Sequence, residues 1–161
     1  MSSEARRGHL VIVCGLPGAG KTTLARRLAV AHAGVRLCPD EWLESFPGGV
    51  FNSSARAQVE ALQWALACEP LAAGRLVVIK WGTWARAERD RLRVGARSLG
   101  ATVELRHLTA PVEVLVERVR VRGGPDQEGP TPLDAAALAG WAAVFEVPTG
   151  GELAEYDPPL R

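Results

Sequence analysis

Nine consecutive residues combine the side chains and spacing needed to hold a polyphosphate: Gly15-Leu16-Pro17-Gly18-Ala19-Gly20-Lys21-Thr22-Thr23. Glycines at 15, 18 and 20 let the backbone turn sharply and bring N–H groups close to phosphate oxygens, where a Cβ would block the approach. Lys21 supplies a flexible ammonium for the outer phosphates, and Thr22 a hydroxyl for Mg2+. Pro17, Ala19 and Thr23 complete the cradle. A helix starting here would add unpaired N–H groups and the positive end of its dipole. The pattern predicts that the chain binds a nucleoside triphosphate together with Mg2+.

Such a loop works only between a strand and a helix, and both are legible. His9–Cys14 is an apolar, β-branched run suited to a buried parallel strand, and Leu24 and Leu28 then lie one helical turn apart. Further strands are expected over residues 35–38, 75–80 and 102–108. A brief helix should begin at Asp40 after Pro39, with Asp40 as its N-cap. Longer helices are expected over 54–73, with Val59, Leu62, Leu66 and Ala73 near one stripe, over 86–99, and over 111–122, with Val112, Leu115, Val116 and Val119 on the buried side. Residues 123–132 are rich in Gly and Pro and break the pattern before a last helix near 133–145 and a proline-containing tail.

Alternating strands and helices imply a parallel sheet covered on both faces, with its ligand beyond the carboxyl ends of the strands. Chemistry should therefore gather after residues 14, 38, 80 and 108. Asp40 and Glu41 follow the second strand, and Asp40 is placed to accept the proton of an attacking alcohol or to cap its helix. Trp81-Gly82-Thr83-Trp84 follows the third. Its indoles could pack an acceptor molecule that Thr83 hydrogen-bonds, or simply pack the turn. Arg86 and Arg89 could hold a phosphate or acidic group, or belong to a solvated face. Arg118 and Arg122, four apart on one helix, border the Gly/Pro-rich segment.

At 161 residues the chain should form one domain. Its 3 cysteines are widely spaced and lack metal-ligand spacing, so they read as reduced core residues and, with a polar start to the chain, suggest the cytoplasm. A net charge of +1 argues against a large nucleic-acid footprint, and no apolar run is long enough to cross a bilayer. Lys21 and Lys80 are the sole lysines in a chain that otherwise uses arginine, which suggests positions where a compact ammonium is needed.

Taken together, the string from Gly15 to Ala25, the later Asp40-Glu41, the Trp-Gly-x-Trp-x-Arg-x-x-Arg run from Trp81 to Arg89, and the pair Arg118 and Arg122 resemble the AAA-type P-loop kinases grouped with zeta toxin, polynucleotide kinase and chloramphenicol phosphotransferase. The resemblance implies a three-layer α/β/α P-loop NTPase fold with about four to five parallel strands and a short lid near 118–133. It also implies transfer of the γ-phosphoryl group of ATP to a hydroxyl, with Asp40 as general base and Arg118 and Arg122 closing over the nucleotide. The acceptor would be a small molecule such as an antibiotic, nucleoside or sugar. A nucleotide or polynucleotide 5′-hydroxyl is an alternative, and a regulatory ATP-binding module without kinase activity is another. One departure stands out: similar kinases usually end the third strand with an aspartate that helps position Mg2+, and this chain has Lys80.

Overall fold

Aliphatic and β-branched side chains fill His9–Cys14, and in the computed structural model, which describes residues 7–123 and 135–160, all six are buried as strand β1. Helix α1 (Lys21–Ala31) follows the glycine loop, and then come β2 (Val35–Leu37), α2 (Pro39–Leu43), a single 3-10 turn (Gly49–Phe51) and α3 (Ser53–Ala72). The second half of the chain runs through β3 (Leu76–Ile79), α4 (Arg86–Ser98), β4 (Thr102–His107), α5 (Val112–Gly123), α6 (Ala135–Val144) and α7 (Gly150–Leu153). The strands form one parallel sheet in the order β2-β3-β1-β4, with Leu10 beside Val77 and Val103. The chain thus moves outward from β1 to β2, returns to β3, and crosses to β4. Its direction reverses around β1 and β3, where open α/β sheets place ligands.

Alternation along the strands sorts the core into two layers. Leu10, Ile12, Val77, Ile79, Val103 and Leu105 pack against α3 and α4 through Ala67, Leu71, Leu92 and Ala96. On the other face, Val11, Val13 and Val78 meet Ala25, Leu24 and Leu28 of α1. These layers make the α/β/α sandwich expected from the sequence, with four strands in the described residues.

Three local expectations need correction. Asp40 is not a cap: α2 starts at Pro39 with Cys38 at its N-cap, so Asp40 lies in the first turn. In α3 the buried row is Ala55, Val59, Gln63, Ala67 and Leu71, whereas Leu62 and Leu66 are more than half exposed. Small alanines bring this helix close to the sheet, and Gln63 is buried because its Oε1 accepts the Trp81 indole N–H at 2.9 Å. In α5, Leu115 and Val119 are buried but Val112 is exposed. Most of the lid expected near 118–133 lies outside the described residues, as does the side chain of Arg122.

The tail after α6 contains a short helix and covers the edge strand. Thr149 Oγ1 caps α7 by accepting from the Glu152 N–H, the Asp157 N–H donates to Val103 O, and Asp157 Oδ2 accepts the Val103 N–H. Further along, the Leu160 N–H donates to Glu104 Oε2, which also faces His9 Nε2 at 3.1 Å. Cys14 and Cys38 are buried and Cys68 partly so, all as free thiols.

Candidate active site

Glycine is obligatory at two points of the loop for two different neighbours. Gly15 has φ 143, and a Cβ there would sit 2.3 Å from Leu108 O after β4; Gly18 has φ 82, and its Cβ would meet Leu115 O of α5 at 2.9 Å. The loop is therefore pressed against the β4–α5 connection with no room for a side chain. Within it the Ala19 N–H donates to Leu16 O, and Lys21 Nζ donates to the same carbonyl at 2.8 Å, holding the ammonium over the bend. Helix α1 starts at Lys21, so its first-turn amides, which have no partner inside the helix, face the ligand side.

Two recesses flank the loop. One, of about 670 Å3, lies between α1 and α5 and is lined by Gly18, Ala19, Gly20, Thr23, Arg27 and Arg118. There Arg118 Nη1 donates to Gly18 O at 3.3 Å, which ties α5 to the loop. The other, of about 600 Å3, opens beyond the ends of β2 and β3 and brings Pro17, Lys21 and Thr22 into one cleft with Asp40, Lys80 and Arg56. Trp81, Trp84, Trp141 and Phe51 form its apolar part. Trp84 meets Trp141 and Phe145 edge to face, with centroids 6.1 and 6.4 Å apart.

At the centre of the cleft, Asp40 is clasped by two cations. Its Oδ1 accepts from Arg56 Nη2 at 2.7 Å and its Oδ2 from Lys80 Nζ at 3.1 Å. Burial works against ionisation of this carboxyl, but the Arg56 hydrogen bond and the Lys80 charge outweigh it and hold the pKa below the ordinary aspartate value. Lys80 is itself largely buried, its side chain 13% exposed. Arg56 went unnoticed in the sequence because only folding of α3 back over α2 brings it to a partner sixteen residues away.

Several sequence-predicted site residues are occupied elsewhere. Arg89 is fully buried and all five of its donor positions are used: Nε and Nη2 on Glu152 at 2.6 and 3.0 Å, Nη1 on Thr83 O and Trp84 O, and Nη2 also on Glu146 O. It cannot hold a substrate phosphate. Arg86 pairs with Asp90 at 3.3 Å and Glu155 at 2.6 Å and is not part of the cleft wall. Together with Arg93 and Arg97, which reach Glu155 and Asp157, these arginines form a ladder along α4 that clasps the tail. Glu41 forms a bidentate pair with Arg36 at 2.8 and 2.9 Å and likewise lies outside the cleft wall. Thr83 is buried beneath the cleft rather than on its wall.

The residues present are compatible with Mg2+ bound in the usual kinase manner. Among the described residues no group of three or more His, Cys, Asp or Glu could hold a metal, so the Thr22 hydroxyl beside Lys21 would be the protein donor, with phosphate and water oxygens completing the shell. Among the described residues no helix is long and apolar enough to cross a membrane.

A protein-family model described as an AAA domain matches residues 10–148. No curated protein matches the chain in sequence. Among solved structures, a gluconokinase from Sinorhizobium meliloti 1021 is similar at 22% identity and TM-score 0.59, over 91% of this chain and 79% of that one. Kti12 from Chaetomium thermophilum, in complex with ADP-AlF3, is similar at 19% identity and TM-score 0.66, over 87% and 81%. A chain of the Pnkp1/Rnl/Hen1 RNA repair complex aligns at 20% identity and TM-score 0.70 over 96% of this chain but 48% of its own length. At these identities the likeness establishes the shared P-loop fold.

Proposed function

The chain belongs to the AAA domain family, and on that premise we propose that it is an ATP-dependent phosphotransferase moving the γ-phosphoryl group to a hydroxyl of a small molecule. The observation that carries this reading is the presence of the Asp40 carboxylate in one cleft with Lys21 and Thr22. Lys21 and the loop amides hold the phosphates, and Arg118, whose Nη1 donates to Gly18 O, contacts the nucleotide from the α5 side of the loop. Bound Mg2+ would neutralise charge on the β- and γ-phosphates.

Asp40 orients the acceptor alcohol. Each of its oxygens uses one lone pair on a cation and keeps another for an incoming O–H. As the acceptor oxygen bonds to the γ-phosphorus and the bond to the bridging oxygen breaks, ADP leaves and the alcohol proton passes to Asp40. A carboxyl with a depressed pKa is a weak base, which suits a loose transition state where the proton moves late and positioning does most of the work. Lys80 and Arg56 add positive charge where the transferring group would lie.

A second reading, an ATP-binding module that closes on its nucleotide without transferring phosphate, is favoured by the engagement of both Asp40 oxygens with cations. The deciding experiment incubates the protein with Mg·ATP and metabolite extract and follows product masses. The first reading expects a phosphate-sized gain that disappears in Lys21→Ala; slow ATP turnover, identical with every alcohol offered, would establish the second.

A further inference from the structure

Below the cleft a small crevice opens between α3 and α4, and its chemistry is unlike that of the phosphate end. Glu60 of α3, Glu88 of α4, Trp81, Gly82 and Thr83 line it, and the first four of these also line the main cleft, so the two spaces adjoin. Its free volume is about 10 Å3, room for one water-sized group. Thr83 is 3% exposed, and its Oγ1 is buried with no hydrogen-bond partner among the described residues. A buried polar atom in that state is unfavourable until a ligand or water satisfies it.

The two carboxylates are incompletely compensated. Glu60 lies 3.7 Å from Arg56 Nη1, beyond hydrogen-bonding range, and its pKa is raised, first by burial, with repulsion from Glu88 adding to it. Glu88 spends Oε2 on the Ala85 N–H at the start of α4. Arg91 also borders the crevice and is the remaining cation near Glu60. Two carboxylates and an unsatisfied hydroxyl around a water-sized space repel a phosphate and match a group with three diverging N–H donors. The neighbouring Trp81 and Trp84 offer aromatic faces to the carbon that bears it.

We propose that this crevice receives the protonated amine of the acceptor, so that the substrate class is an alcohol that also carries an ammonium group. The proposal rests on the phosphotransferase reading for identifying the ligand as the acceptor. Glu60, Glu88 and Thr83 accept the three N–H bonds, while the hydroxyl to be phosphorylated points back along the cleft toward Asp40. The same arrangement disfavours a polynucleotide, whose phosphates would meet the acidic end.

The test is calorimetric titration of protein loaded with Mg2+ and a non-hydrolysable ATP analogue, using probe pairs that differ only in exchange of an amine for a hydroxyl: 2-aminoethanol against ethylene glycol, and glucosamine against glucose. The amine of each pair should bind about ten-fold tighter, equivalent to about 1.4 kcal/mol. Glu60→Gln and Glu88→Gln should each erase that preference while nucleotide affinity and melting temperature are measured alongside; Gln at 88 keeps an oxygen for the Ala85 N–H. Equal affinities within the pairs for the wild-type protein, a preference that survives in Glu60→Gln/Glu88→Gln, or no binding of either amine would overturn the proposal, and the wild-type comparison stands even if a variant fails to fold. Phosphate transfer is followed in parallel. An amine preference without transfer overturns the phosphotransferase reading, whereas transfer to both members of each pair at equal efficiency overturns the ammonium site.

Discussion

Replacing Arg89 by Met separates a structural arginine from a substrate-binding one. The substitution keeps the bulk of the side chain but leaves Glu152, 1% exposed, without its cation, and deprives three buried or half-buried carbonyls, those of Thr83, Trp84 and Glu146, of their donor. Breaking a buried ion pair from one side costs about 3–5 kcal/mol, because the remaining charge is stranded in a low-dielectric interior. For a chain of this size each kcal/mol lowers the melting temperature by roughly 2–4 °C, so Arg89→Met should melt roughly 6–20 °C below the wild type. Removing both charges in Arg89→Met/Glu152→Leu should recover most of that loss, since apolar replacements of buried pairs are often neutral or stabilising. Thermal denaturation followed by circular dichroism measures all three proteins. If Arg89→Met melted within about 2 °C of the wild type while its KM for the acceptor rose sharply, the buried clasp would be wrong and the arginine would belong to the substrate.

Asp40→Asn should lower turnover by about 10²–10⁴-fold with little change in ATP affinity, read by coupled ADP release and calorimetry; unaltered turnover would remove Asp40 from proton transfer. Because its folded pKa lies below the ordinary value, Asp40 stays ionised at neutral pH, and its contribution to stability and to kcat/KM is lost only as pH falls through that depressed value. Lys80→Met should then move the acid limb of the pH–rate profile upward, and a limb that does not move would show that Lys80 leaves Asp40 unperturbed. Burial pushes the Cys14 thiol up to about 11, so at about pH 8 it should resist alkylation in the folded protein and react once the chain is denatured. Asn52→Ala removes the cap that accepts the Ala55 N–H at 2.9 Å and should cost about 1 kcal/mol in denaturant titration, with a wild-type midpoint arguing against that cap.

What could be read from the chain was whatever repeats locally. The phosphate loop is legible because glycines, lysine and threonine must be contiguous to surround one anion, and the strands because period-two burial on both faces leaves continuous aliphatic runs. The stripe of α3 misled because Leu62 and Leu66 are large and apolar, yet the sheet is approached by alanines and by a glutamine whose burial depends on an indole eighteen positions away. The arginines of α4 misled for a related reason. Their spacing on one helix face is visible, but their partners in the tail lie some sixty residues farther along, and a cation meeting a carboxylate leaves no periodic trace. Lys80 stands out by composition and by occupying the place where similar kinases carry an aspartate, and the fold supplies its partner, Asp40.

The segment around Asp157 has a consequence for how the protein behaves in solution. By giving its amide to Val103 O and its carboxylate to the Val103 N–H, it occupies hydrogen-bonding positions on the outer strand of the sheet that a second molecule could otherwise use. Cutting the chain before Asp157 would bare the rim of that strand, and the first symptom would be precipitation on standing rather than a lost activity.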